Sequence, residues 1–198
     1  MAALEIAAPR MTLEVFQTLP EGPPYYEFEA GELILMSSPT LEHQNIMGLL
    51  FAFIYAFLRK NRLGRIVMDL DAYLPDGRVY IPDLAFVAQG QTSIISPIDQ
   101  KIHGVPTMVA EIVSGDTARD RIHKFQVYFE NGVAWYWLLT QTLEIEEYHL
   151  TPQGYVRTAS IAAGEVFRPQ VFPGLEIDLQ ELLGVEEKAA DENRETQN

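Results

Sequence analysis

The chain has 198 residues, of which 47% are hydrophobic and 21% charged, a composition typical of one soluble globular domain. Its formal charge of −14 argues against a protein that coats nucleic acid, although an enzyme that holds phosphate through metal ions and a local basic patch remains compatible with it. Because the chain contains no cysteine, a disulfide framework and a thiolate metal site are both excluded.

The same features bear on where the protein resides. The N-terminus, MAALEIAAPRMTLEVF, lacks the basic region and apolar core of a secretory signal. The longest apolar stretch, residues 46–58, is shorter than the roughly 20 residues that a membrane span needs, so it predicts a buried core helix. With a cysteine-free composition that fits a reducing compartment, the sequence predicts a cytoplasmic protein without a membrane partner.

The hydrophobic pattern predicts helices and strands that alternate along the chain. Helices are predicted at 11–20, 40–61 and 117–131, with a short one closing the fold within 172–183. Strands are predicted at 65–75, 80–89, 107–113, 133–140, 143–151 and 154–162, together with a hairpin over 25–36 that turns at Ala30-Gly31. This order predicts one α/β (α+β) domain over residues 1–185, with a mixed central sheet flanked by helices, and a solvated, disordered acidic tail over 186–198.

Two acidic residues stand inside apolar strands. Asp83 lies in IPDLAFV and Glu111 in VAEIV, and each would be costly to bury without a partner. Two bare carboxylates facing each other at about 4 Å would repel by about 4 kcal/mol at an effective dielectric of 20. A divalent cation between them reverses that sign, and Mg²⁺ commonly takes one or two carboxylates while keeping several waters.

Lys124 follows in the next predicted helix. Asp120, Lys124 and Tyr128 are four residues apart and share one face, beside an apolar stripe of Ile122, Phe125 and Phe129. From this helix the ammonium could return to the preceding strand, where it could orient water or bind a phosphate oxygen.

Five motifs give the chain a resemblance to a known family. They are IPD at 81–83, VAEIVS at 109–114, RDRIHK at 119–124, YFENGV at 128–133 and YWLL at 136–139. Together with GELILMSSPTLEH and FPGLEIDLQELL near the two ends, these motifs resemble the Uma-two family of restriction-endonuclease-like proteins, within the PD-(D/E)XK nuclease superfamily, over roughly residues 12–184.

The resemblance implies an endonuclease that hydrolyses DNA with Mg²⁺ or Mn²⁺. Asp83 and Glu111 would be the metal-binding acids and Lys124 the catalytic lysine; the superfamily places that lysine two residues after the second acid, where this chain has Val113. Glu32 and His43 match further family positions, as a metal-supporting acid and a phosphate-facing histidine. Gly115 replaces a proline common in the family. A homodimer is expected by analogy with nucleases that cut two strands at two sites.

Simpler interpretations stay open beside these. Asp83 could bond backbone N–H groups after Pro82, Glu111 could form a salt bridge at a sheet edge, and Lys124 could pair with Asp120. Glu32 and His43 could be an ordinary hairpin acid and helix-start residue. At the level of function, a catalytically inactive nuclease-fold binding module and a carboxylate-pair glycosidase are the alternatives to a nuclease.

Overall fold

The computed structural model describes residues 10–113 and 119–179. Its helices are α1 (Leu13–Phe16), α2 (Leu41–Asn61), α3 (Phe125–Glu130), a 3₁₀ helix (Gln89–Ile94) and a π-helix (Arg119–Lys124) that runs directly into α3. The predicted tail over 186–198, the end of the predicted domain and the turn around Gly115 lie outside the described residues.

A six-stranded mixed sheet forms the centre of the molecule. Its strands are β3 (Gly64–Met68), β6 (Leu84–Ala88), β8 (Met108–Val113), β9 (Trp135–Thr140), β10 (Ile145–Thr151) and β11 (Gly154–Ile161), in the spatial order β11-β10-β9-β8-β6-β3. Only β8 and β9 pair in parallel within this sheet, and the π-helix and α3 lie in the connection between them. β8 is therefore an interior strand, and all six of its residues are buried.

A second, five-stranded sheet carries the hairpin. It contains β1 (Tyr26–Glu29), β2 (Glu32–Leu35), β4 (Ala72–Tyr73), β5 (Val79–Tyr80) and β7 (Ile102–His103), in the order β2-β1-β5-β4-β7. The predicted turn at Ala30-Gly31 is confirmed, and both of these residues have positive φ angles, 50° and 89°. Two short strands, β12 (Val166–Phe167) and β13 (Ile177–Asp178), pair with each other.

The helix α2 packs against one face of the six-stranded sheet. The side chain of Thr40 caps its N-terminus by accepting a hydrogen bond from the His43 N–H. Ile46, Leu50 and Ile54 lie on its buried face, in the same apolar cluster as Trp137. By length and composition, α2 is the one helix among the described residues that could cross a membrane. The prediction of a buried core helix holds for the face that packs on the sheet, whereas Leu49 and Tyr55 on the opposite face are exposed.

Three predicted elements differ from the structure. The strand predicted over 65–75 is two strands, because the chain turns at Asp69, which has a φ of 47°. The strand predicted over 80–89 is also broken, because Ile81-Pro82-Asp83 carries the chain from the small sheet to the large one. Within the region predicted to close as a helix, Ile177–Asp178 is a strand, and residues 180–183 lie outside the described part.

Candidate active site

The passage between the two sheets positions Asp83. This residue directly precedes Leu84, which pairs with Ala110 in the antiparallel register of β6 and β8, so Asp83 lies beside Glu111. One carboxylate oxygen of Asp83 accepts a hydrogen bond from the backbone N–H of Ile112, and the other lies 3.2 Å from the His43 Nε2 atom. Asp83 thus does bond a backbone N–H, as the simpler interpretation expected, and it also faces a second side chain.

Glu111 is buried in the interior strand β8, with 3% of its surface exposed. Its Oε2 atom accepts a hydrogen bond from the Lys124 ammonium at 3.0 Å, and its Oε1 atom accepts one from the Tyr128 hydroxyl at 2.7 Å. Burial of this carboxylate is therefore compensated by a charged donor and a neutral donor. The salt bridge lies in the centre of the sheet, whereas the simpler interpretation expected a sheet edge.

Lys124 joins the two sheets. Its Nζ atom lies 3.0 Å from Glu111 in the large sheet and 3.1 Å from the Oε1 atom of Glu27 in the small sheet. Glu27 is fully buried and also accepts a hydrogen bond from the Ile81 N–H at 3.3 Å. The Lys124 ammonium therefore lies against the preceding strand, as its place in the helix predicted. The alternative partner, the Asp120 side chain, lies outside the described part of the structure.

Tyr128 fixes the orientation of Glu111. It lies one helical turn after Lys124, so the two side chains approach the same carboxylate from one face of the helix. Burial of the phenol and the negative charge of Glu111 raise the pKa of Tyr128 well above its usual value. Its hydroxyl therefore stays protonated and donates to Glu111 across the ordinary pH range.

Glu27, Glu111 and Lys124 line one cleft of about 540 Å³, which is large enough for several waters and part of a ligand. Asp83, Glu111, Lys124 and His43 all reach its surface, and so does Asp69. Partial burial and the nearby negative charge of Asp83 raise the pKa of Asp69 above its usual value, and the opposite effect of His43 is smaller. Counting formal charges, the acids in and around this cleft outnumber its one lysine, so the site attracts cations.

The structure brings together four of the five residues singled out from the sequence. Glu32 does not line the cleft; it is exposed on the outer strand β2, next to the hairpin turn. The acid that the hairpin supplies is Glu27, which the sequence reasoning missed. Strand alternation was the available signal, because it puts Glu27 and Glu29 on the face opposite Phe28, and Phe28 belongs to a separate apolar cluster.

The donors present fit a hard divalent cation. Asp83, just before β6, and Glu111, in the neighbouring strand β8, offer two carboxylates beside a cleft that has room for the waters Mg²⁺ retains. Among the residues that the structure describes, no three histidine, aspartate or glutamate side chains form a ready-made metal cluster. The protein would therefore contribute two carboxylates, and water or substrate would complete the coordination.

Comparisons with known proteins agree with this architecture. The fold is similar to the crystal structure of a putative nuclease belonging to DUF820 from Anabaena variabilis ATCC 29413, with a TM-score of 0.70 and 19% sequence identity, covering 88% of this chain and 98% of that one. A search of curated proteins found no match. The sequence profile of the Uma2 family, described as putative restriction endonuclease, matches residues 13–180. The resemblance seen in the sequence motifs is thus confirmed, and the chain belongs to the Uma2 family of restriction-endonuclease-like proteins.

Proposed function

We propose that this protein is a divalent-metal-dependent endonuclease that hydrolyses phosphodiester bonds in DNA. The observation that carries the proposal is the convergence of Asp83, Glu111 and Lys124 on one cleft, in a chain of a restriction-endonuclease-like family. Two carboxylates and one ammonium are the groups that phosphodiester hydrolysis needs for metal binding and for contact with an anionic substrate.

Each residue has a role that follows from its contacts. Asp83 and Glu111 would hold Mg²⁺ or Mn²⁺, which would lower the pKa of a water and stabilise the negative charge on the phosphate oxygens. Lys124 can donate a hydrogen bond to a phosphate oxygen or to the attacking water, and Glu27 and Glu111 set its position. Tyr128 holds Glu111 in place.

His43 acts on Asp83. It lies in the first turn of α2, and its Nε2 atom is 3.2 Å from the carboxylate, so it fixes the direction in which Asp83 faces the cleft. The family resemblance gave His43 a phosphate-facing role, whereas its Nε2 atom faces Asp83 in the structure. We assign it as a positioning residue for Asp83.

A cleavage assay tests this function. Purified protein is incubated with duplex, single-stranded and branched DNA in Mg²⁺, Mn²⁺ or EDTA, alongside the variants Asp83→Asn and Glu111→Gln. We expect cleavage that needs the metal and falls roughly 100-fold or more in either variant. Glu176→Gln, the same change at an acid paired on the surface with Arg168, is the control and should cleave normally. Failure of the wild-type protein to cut any substrate with either metal would contradict the proposal.

A catalytically inactive binding module is the second candidate. Both carboxylate oxygens of Glu111 already accept hydrogen bonds, from Lys124 and from Tyr128, so the protein's own donors compensate the buried charge. Titration with Mn²⁺ separates the two candidates. A competent site should bind the ion in the wild-type protein, and the Asp83→Asn variant should not bind it. Nucleic-acid binding without Mn²⁺ binding or cleavage would favour the binding module.

A further inference from the structure

The exposed face of α2 is apolar along most of the helix. No aspartate, glutamate, lysine or arginine occurs between Glu42 and Arg59, although the helix turns both towards the core and towards solvent. Exposed residues repeat at spacings of three and four, which places them on one face. In chain order this face carries Leu41, Asn45, Gly48, Leu49, Ala52, Tyr55, Ala56 and Arg59.

This face is more apolar than an exposed helix surface requires. Leu41 is 79% exposed, Tyr55 47% and Leu49 39%. The polar face of an amphipathic surface helix normally carries charged residues, and contiguous exposed apolar patches mark interaction sites. The small residues Gly48, Ala52 and Ala56 form a stripe along the middle, which allows another helix to approach closely.

We propose that this face binds a second copy of the same chain, with the two α2 helices antiparallel about a two-fold axis at Ala52. A two-fold interface brings the same patch of both copies together, so residues at equal distances on either side of Ala52 must match. Gly48 then meets Ala56 of the other copy, and Leu49 meets Tyr55. Each pair matches a small residue with a small one or a large apolar residue with another.

The charges at the two ends of α2 fit the same arrangement. Glu42 lies in the first turn, and Arg59 and Lys60 lie in the last turn. In the antiparallel pair, Arg59 of one copy lies opposite Asn45 of the other and within one helical turn of Glu42. A parallel pair would instead place like charges together, so the charge pattern selects the antiparallel one.

The size of the face sets the expected affinity. A helix of 21 residues is about 30 Å long and about 10 Å wide. Even with the half-buried rings of Phe51 and Phe53 at its edges, that face is smaller than the roughly 800 Å² per partner of a standard stable interface. We therefore expect a reversible dimer with a dissociation constant in the micromolar range.

Sedimentation velocity on the full chain over a concentration series tests the interface. Wild-type protein should shift from monomer to dimer, and Ala52→Glu should stay monomeric because it puts two carboxylates at the axis. Ala163→Glu, the same change in an exposed turn, should dimerise normally. Glu42→Arg alone should weaken the dimer, and adding Arg59→Glu should restore it. Thermal unfolding of each variant checks that the monomer is folded.

A cross-linking experiment locates the axis independently. The natural chain has no cysteine, so Ala52→Cys introduces a single thiol that should form a disulfide with its counterpart under mild oxidation. Ala163→Cys should not. A wild-type protein that stays monomeric at high micromolar concentration overturns the proposal, as does a dimer that survives Ala52→Glu. Binding of a monomer to phosphatidylglycerol vesicles, lost in Ala52→Glu, would assign the face to lipid instead.

Discussion

At the scale of single residues, the central feature is one ammonium between two buried carboxylates. Lys124 is 4% exposed, Glu111 3% and Glu27 0%. Charges removed from water in this way are stable only as a set, because each one that loses its partner keeps the cost of desolvation. The cluster therefore ties the energetics of the core to the chemistry of the cleft.

Replacing Lys124 should reveal that coupling. Lys124→Met leaves Glu27 and Glu111 facing each other, and we expect a loss of about 3 kcal/mol in the free energy of unfolding, measured by urea titration. Adding Glu27→Gln removes one of the two charges and should recover part of the loss. Strictly additive effects of the two substitutions would show that they do not share this cluster.

The sequence singled out two of these three residues, Glu111 and Lys124, and the family resemblance supplied their roles. Acids inside apolar strands are rare, so Asp83 and Glu111 stood out, and helical spacing placed Lys124 and Tyr128 on one face. Glu27 was missed because its partner lies 97 positions away in sequence numbering, in a different sheet, and no local pattern reports such a contact. Glu32 was chosen instead because it matched a family position, which carries no information about which hairpin acid faces inward.

At the scale of elements, β1 holds the helix that carries the lysine. Glu27 binds Lys124, and Glu29, two residues further on the same face of the strand, binds the neighbouring His123 with Nε2 2.7 Å from the carboxylate. Tyr80 also donates to Glu29, at 2.9 Å. The helix was predicted as one α-helix over 117–131, but its described part is a π-helix followed by α3, and the two contacts with β1 fall at the end of the π segment.

The contact between Glu29 and His123 should make stability depend on pH. Partial burial opposes ionisation of Glu29, but hydrogen bonds from His123 and Tyr80 outweigh it and lower the pKa of the carboxyl. A lowered folded-state pKa gives stability that is present above the unfolded value of about 4.3 and is lost as pH falls through the folded value. Wild-type protein should therefore exceed Glu29→Gln in stability at pH 6, and the difference should shrink towards pH 3. A constant difference in chemical denaturation over that range would contradict this assignment.

A second buried acid has a structural role. Glu147 in β10 is fully buried and accepts hydrogen bonds from Trp137 Nε1 at 3.1 Å, from the Thr158 hydroxyl at 2.9 Å and from the Gln170 N–H at 3.0 Å. It thereby fastens the segment after β12 to the large sheet, away from the cleft. Trp137, which donates to Glu147, is itself fully buried in β9, as is the adjacent Tyr136.

Glu147→Leu should separate stability from function. Removing the acceptor leaves several buried donors unsatisfied, and we expect a loss of about 2–3 kcal/mol in the free energy of unfolding. The folded variant should bind Mn²⁺ like the wild type, which isothermal titration can measure. Weaker Mn²⁺ binding at temperatures well below unfolding would show that this acid also influences the cleft.

At the scale of the whole molecule, the net charge would limit binding of the proposed DNA substrate. With a formal charge of −14, the protein repels the phosphate backbone over most of its surface. We expect little DNA binding in EDTA and clear binding with Ca²⁺, a hard cation of the same charge that suits the same oxygen ligands. Fluorescence anisotropy with labelled duplex measures this, and Asp83→Asn should abolish the gain. Equal binding with and without the cation would contradict a metal-bridged contact.

The sequence also predicted the overall architecture, since hydrophobic periodicity located the interior strands, the hairpin and α2. It did not predict the division into two sheets, because the breaks at Asp69 and at Ile81-Pro82-Asp83 depend on where distant strands pair. Those breaks lie at the cleft: Asp69, Ile81 and Asp83 all line it.

Because Lys124 bridges the two sheets, the lengths of its contacts with Glu27 and Glu111 depend on the distance between the sheets. Anything that wedges into the cleft and spreads the sheets must stretch the bond to Glu27 or the bond to Glu111. The Lys124 ammonium could then donate a hydrogen bond to the molecule that has entered the cleft. Entry of a substrate would thus release the Lys124 ammonium for contact with it, and in the empty cleft the ammonium would stay bound to Glu27 and Glu111.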